Sequence, residues 1–304
     1  MNLISALFRN PLDVLLKNAA KKGDRKFLIT WNRGLGDIAL GLYALTERVR
    51  SFVPHAEITF ITRKDLADGF SLLKDVHVLV AEEWKRGVAF DLEETLDVLS
   101  VDKAQFDVVI ENPNVTKWLS YQIGKLTPRL QWKNEWDALW KRFDLSTNGT
   151  YVAVHVQTET VYAYEKNWPL ERWTELFKRL EFERCARIIL FGLRKSVPFP
   201  VEGLIDLRGE TTLFEMLSII KNRCTYLIAP DSGVLSLTYY IDTAFPLKLI
   251  SLWADPKQGI LKQNVDSPNP ELVHAPLIGK NGDISSITAD EVCGLFGESL
   301  ILHS

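Results

Sequence analysis

Short β-rich runs followed by amphipathic stretches recur along this 304-residue chain, and that alternation constrains its fold more than any other feature. Residues 26–31 (KFLITW), 56–62 (AEITFIT), 76–80 (VHVLV) and 106–111 (FDVVIE) read as strands. Helices are expected at 37–52, 64–73, 90–100 and 115–126. Strand–helix–strand repetition requires parallel strands, right-handed crossovers and helices on both sheet faces. A second series follows residue 150, with strands at 151–156, 186–192, 203–207, 225–230 and 247–253 and helices at 170–180, 213–221, 232–241 and 289–300. Between the two series, FDLSTNGT at 143–150 is polar and carries an Asn-Gly turn signal, so it reads as a linker. The chain also exceeds the usual size of a single core. The expectation is an α/β protein of two doubly wound domains, 26–147 and 148–304, preceded by an N-terminal helical extension, 1–25. Ligands of such sheets bind beyond the carboxyl ends of the strands, so both domains could offer loops to one cleft.

Composition narrows the function. Hydrophobic residues at 46% and charged residues at 25% describe a globular domain, and a net charge of -3 gives no bulk attraction to nucleic acid. An anionic ligand must therefore be held locally. Cys185, Cys224 and Cys293 lack CxxC spacing and read as buried, reduced thiols of a cytoplasmic protein. Arg9, Asn10, Pro11 and Asp13 interrupt the apolar N-terminus, which is neither a signal peptide nor a spanning helix.

Three loops carry candidate chemistry. RGLGD follows the first strand, so Gly34 and Gly36 lie where backbone can approach a ligand closely. Asp37 reads either as a helix cap or as a carboxylate able to take a proton from a hydroxyl. No acidic ribose-binding residue follows at the spacing of a dinucleotide fold, which argues against a nicotinamide enzyme. In the second half, Lys166 precedes Trp168-Pro169, where the tryptophan reads as a core anchor and the lysine as either a solvated charge or a point charge aimed at phosphate. APDSG places Asp231, Ser232 and Gly233 between a strand and a helix, a position suited to capping or to anion and sugar-hydroxyl contact. Thr158 and Thr160 follow the first strand of that half, and Glu210 precedes a Thr211/Thr212–Glu215 capping box.

Taken in order and spacing, RGLGDIALGLYALTERVRSFVPHAEITFIT, YEKNWPLERWTELFKRL and GETTLFEMLSIIKNRCTYLIAPDSG resemble glycosyltransferase family 9, best known for ADP-heptose:lipopolysaccharide heptosyltransferases. The resemblance spans about residues 27–295. It implies a GT-B fold, two Rossmann-like domains with acceptor on the first and nucleotide-sugar donor on the second. By position it implies Asp37 as general base, Lys166 as the donor-phosphate cation, and Asp231, Ser232 and Gly233 at the sugar and diphosphate. The donor would be a nucleotide-diphosphate sugar, an ADP-sugar first among them. The acceptor would be a saccharide or glycolipid of lipopolysaccharide or another surface glycan.

The chain holds no DxD and no His/Cys cluster at metal-ligand spacing, so no metal or other cofactor is expected and Lys166 would neutralise the leaving group. Ser236 stands where the family carries a histidine, which keeps a second reading open: a protein that binds a nucleotide-sugar or a partner without turnover. A sugar-nucleotide epimerase or a GT-B transferase with another donor is the enzymatic alternative. The extension joins apolar residues to Lys17, Lys21, Lys22, Arg25 and Lys26, and could lie on an anionic membrane surface or pack on the first domain. Trp118, Trp132, Trp136 and Trp140 could stack on an acceptor or serve packing.

Overall fold

The computed structural model describes residues 10–114, 126–146, 151–158, 165–184, 186–195 and 198–296. Contacts divide the chain into two units, Met1–Gln131 and Trp132–Ser304. The expected helix at 115–126 and the Asn-Gly linker signal lie essentially outside the described residues, as do Trp118, Thr160, Cys185 and the end of the last expected helix.

In the first unit, helix α1 (Pro11–Lys22) begins at Asn10, whose side chain accepts from Leu12 N–H, and ends at Gly23 with φ +80°. Leu12, Leu16 and Ala19 are buried, and Asp13 forms a bidentate pair with Arg48 of α2 (Tyr43–Phe52). Within the described part of the extension, the Leu12, Leu16 and Ala19 side of the helix is thus spent on packing, while Val14 is exposed. Strands β1 (Lys26–Trp31), β2 (Glu57–Thr62), β3 (Val76–Val80) and β4 (Val108–Ile110) form one parallel sheet in the order β3-β2-β1-β4. Helices α3 (Lys64–Phe70) and α4 (Leu92–Val98) supply crossovers. Leu28, Ile61, Ala81, Leu92 and Leu96 make a core cluster on one face.

The second unit holds β5 (Tyr151–His155), β6 (Arg187–Phe191), β7 (Ile205–Asp206), β8 (Cys224–Pro230), β9 (Leu247–Trp253) and β10 (Leu272–Ile278). Their order is β10-β9-β8-β5-β6-β7, with every pairing parallel. Helices α5 (Leu170–Arg184), α6 (Leu213–Arg223), α7 (Gly233–Tyr239), α8 (Gly259–Gln263) and α9 (Ala289–Cys293) connect or cover them. Trp168 and Trp173 are core anchors, 2% and 1% exposed, in a cluster with Val152, Val154, Leu176 and Val292.

Residues 132–146, on the first domain's side of a boundary read from the turn signal, belong to the second unit's packing. Trp136 stacks on Phe214 at 3.9 Å, Lys221 pairs with Asp137 and Arg142 with Glu215. The tryptophans here serve packing: Trp132 meets Trp136 edge-on, and Trp140 lies under the Arg223 guanidinium. Cys224 and Cys293 are buried free thiols, and burial pushes the Cys224 thiol far up. Among the described residues, no helix is long and apolar enough to cross a membrane.

Candidate functional site

Strand order locates two sites before any side chain is considered. In the first sheet β1 lies between β2 and β4: the chain runs from β1 to β2 on one side and crosses back from β3 to β4 on the other, which opens a switch point at the carboxyl ends of β1 and β4. The second sheet repeats this in full, with its switch point between β5 and β8.

At the first switch point, Asn32 follows β1 and is 2% exposed. Its amide donates to the carbonyls of Val88 (2.7 Å) and Lys85 (3.3 Å), and its own carbonyl accepts from Gly87 N–H (3.1 Å). Gly87, φ +66°, makes that tight loop possible. Residues 85–88 are thereby clamped beside the glycine turn. Asp37 does not cap the helix that follows. Its Oδ2 instead accepts from Gly34 N–H at 3.0 Å, closing a turn backwards, while Asp37 N–H donates to Gly34 carbonyl. A Cβ on Gly34 would lie 2.9 Å from Asp37 Oδ2 and 3.7 Å from Arg86 Nη2. Gly34 is therefore required for the carboxylate to sit where it does, with a guanidinium beside the same point. Past Asp37 the chain makes a π-turn, Ile38–Leu42, before the α-helical hydrogen bonding of α2. Such π segments recur at functional sites. Asn112, at the end of β4 with φ +40°, donates its N–H to Thr30 Oγ1, and its buried Oδ1 accepts no hydrogen bond.

At the second switch point, Lys166 Nζ meets Asp231 Oδ2 at 2.6 Å, the side chains 11% and 10% exposed. Burying two charges costs several kcal/mol per ion, offset only by close pairing. Asn167 holds the adjoining loop: its Oδ1 accepts from Thr158 N–H at 2.7 Å, and its N–H donates to Glu165 Oε1. Ser232 is the cap of α7, accepting from Leu235 N–H, and Gly233 is that helix's first residue. Ser236 is 1% exposed and donates its hydroxyl back to Ser232 carbonyl. His155, the last residue of β5, is 8% exposed with Nδ1 unpartnered, and burial lowers its pKa to about 4. It is a neutral imidazole at physiological pH.

The structure thus brings Lys166, Asp231, Ser232 and Gly233 together, with Thr158 on the loop tied to Lys166's neighbour. Glu210, on the loop before α6, has its carboxylate paired with Lys195. Thr160 lies outside the described residues. Thr212 and Glu215 form the capping box. Asn32, Arg86, Asn167 and Gly259 were not singled out by sequence. Asn32 and Asn167 flank the motifs directly, but their roles depend on partners 53 to 56 and 9 residues away. Among the described residues, no group of three or more His, Cys, Asp or Glu side chains is placed to hold a metal ion.

Two Rossmann-like parallel-sheet units in tandem, each with polar groups gathered at its switch point, define the GT-B architecture. Among solved structures the chain is similar to ADP-heptose lipopolysaccharide heptosyltransferase II of E. coli, with a TM-score of 0.63 and 16% identity over 88% of this chain and 96% of that one. It is similar to a glycosyl transferase family 9 protein from Veillonella parvula at a TM-score of 0.59 and 16% identity, covering 92% and 98%. A third is E. coli heptosyltransferase WaaC, solved with ADP-2-deoxy-2-fluoro heptose, at a TM-score of 0.52 and 15% identity, covering 88% and 98%. At these identities the likeness is one of fold. No protein-family profile and no curated protein matches the chain.

Proposed function

We propose that this chain is an inverting glycosyltransferase that moves a sugar from a nucleotide-diphosphate sugar to a hydroxyl of a saccharide or glycolipid. The observation that carries the reading is the buried Lys166–Asp231 pair at the switch point of the second sheet. A lysine held there presents a fixed positive charge to a phosphate ligand while Asp231 keeps the empty site neutral. The fold shared with heptosyltransferases supports an ADP-sugar, with heptose as the first sugar to test.

In this reaction Asp37 takes the proton of the acceptor hydroxyl as that oxygen attacks the anomeric carbon. The bond to the diphosphate oxygen breaks on the opposite face, and the nucleoside diphosphate leaves with its added charge facing Lys166. Leaving-group stabilisation by Lys166 is proposed to make the reaction independent of added metal. Contact with an anionic membrane at the cytoplasmic face is proposed through exposed Lys17, Lys21 and Lys22.

Thermal-shift titration with ADP, GDP, UDP and dTDP and their sugars, with EDTA and with magnesium, tests the donor site. One base should raise the Tm in EDTA, and Lys166→Ala should abolish that shift. Asp37→Asn should keep donor binding and lose at least about a hundredfold in turnover. Unchanged turnover would remove Asp37 from the mechanism. Binding without transfer to any acceptor would favour the non-catalytic reading, for which Ser236 is the motivating residue: its hydroxyl is engaged with Ser232 and stands in no histidine's role.

A further inference from the structure

Gly259 fills a gap that no other residue could fill without displacing its neighbours. Its φ is +49°, and a Cβ there would lie 2.6 Å from Asp231 Oδ1 and 2.7 and 2.9 Å from Cη2 and Cζ3 of Trp253. Neither neighbour has an easy retreat. Asp231 is a short side chain whose other oxygen is bonded to Lys166 Nζ. Trp253 is 1% exposed, and its indole N–H donates to Ser251 Oγ at 2.7 Å. Ser251 Oγ lies 2.6 Å from His274 Nε2, so its hydroxyl is left to donate to a neutral imidazole whose ring also packs edge-on against Tyr239. Burial lowers the His274 pKa to about 4, which keeps that acceptor available at neutral pH.

We propose that Gly259 is a positioning residue of the donor site: it seats Asp231 Oδ1 against bare backbone and so fixes the carboxylate that aims Lys166 at the phosphates of a nucleoside diphosphate. The assignment rests on the donor-site reading above. It gives Asp231 a role that requires no contact with the sugar, as the counter-ion with one oxygen on Lys166 Nζ and the other in the space that Gly259 leaves open. It also separates Gly259 from Gly23 and Gly87, which share its positive φ. Gly23 and Gly87 have φ +80° and +66° with no atom within 4 Å of a Cβ, so a side chain there meets only backbone strain.

The test is calorimetric titration of the full-length protein with ADP, GDP, UDP and dTDP, alongside thermal melts. Wild type should bind one of the four, and Lys166→Ala should bind it about tenfold or more weakly. Gly259→Ala should weaken binding to a similar extent, whereas Gly23→Ala should lower the Tm and keep wild-type affinity. Should Gly259→Ala fail to fold, Gly259→Ala/Trp253→Leu carries the test, since the ring that the new Cβ would strike is gone and the clash with Asp231 remains. That double variant should bind more weakly than Trp253→Leu alone. Wild-type affinity in Gly259→Ala, or a double variant that binds as Trp253→Leu does, overturns the assignment while leaving the donor site standing on Lys166→Ala. Absence of nucleotide binding by folded wild type overturns both.

Discussion

The carboxylate of Asp37 is placed by a bond running backwards along the chain, to Gly34 N–H, and that has a direct consequence for mutation. Alanine at 34 would put a methyl 2.9 Å from Asp37 Oδ2 without demanding a left-handed backbone. With Asp37 as the proposed base, Gly34→Ala is expected to leave the Tm within a few degrees of wild type while lowering kcat by about a hundredfold, the order of loss for a catalytic group displaced by about 1 Å. A steady-state assay with a thermal melt decides it; unchanged kcat would mean that Asp37 works from another position. The buried histidines carry a different residue-scale prediction. Burial lowers the pKa of both His155 and His274 from 6.5 to about 4. Above pH 6.5 the imidazoles are neutral folded and unfolded, so they contribute no pH dependence. As pH falls from there toward 4 the unfolded chain takes up protons that the folded state refuses, and stability falls. For fully buried His155 the full effect is on the order of 3 kcal/mol. Urea midpoints between pH 7 and 4.5 should decline in wild type and decline less in His155→Asn; equal slopes would show that His155 titrates normally. Carboxylates held low by partners, such as Asp206 bonded to Arg208, lose their contribution below this window, so the two effects separate.

Helix α6 shows how one element ties residues 132–146 to the second unit. Thr212 Oγ1 accepts from Glu215 N–H and Thr212 N–H donates to Glu215 Oε2, while Glu215 Oε1 pairs with Arg142 at 2.6 Å. Ser218 and Asn222, three and seven residues beyond Glu215, lie on the same helix face and bond the Asp137 carbonyl. Thr212→Ala should cost about 1 kcal/mol as a lost cap, and Glu215→Ala clearly more, because it also releases Arg142. Similar losses for the two variants in urea melts would mean that Arg142 adds nothing. Elements such as α6 were legible in the sequence because one side of the helix is apolar and its start carries Thr212 and Glu215 at capping-box spacing. Strands β1, β2 and β9 were legible because a buried parallel strand needs a continuous β-rich run. Strand β10 was not: Pro276 and the polar residues before it interrupt the β-rich run, but an edge strand can take a proline whose missing N–H no neighbour needs. Of the candidate site, Asp37, Lys166 and Asp231 stood out in the sequence as charges beside glycine or proline between a strand and a helix. Gly259, Asn32 and Asn167 were not, because their importance lies in a missing side chain or in a partner that only folding brings near.

At the scale of the whole chain, each unit has its own sheet and its own core, and the division at Gln131/Trp132 has an energetic basis. Trp136 and Leu145 are 7% and 6% exposed, and Trp136 lies stacked on Phe214 of the second unit. Removing a buried tryptophan from its packing costs about 3 to 5 kcal/mol. The ion pairs of Asp137 and Arg142 with α6 would be lost as well. A fragment of residues 132–304 should therefore melt as a cooperative unit, and a fragment of residues 148–304 should melt about 10 °C lower, at roughly 2 to 4 °C per kcal/mol for a domain of this size. The shorter fragment should also bind hydrophobic dyes, because the Phe214 ring loses its cover. Scanning calorimetry of the two fragments reads this directly. Equal melting temperatures would show that residues 132–146 are a surface strap, and would move the energetic boundary of the second unit to the start of β5.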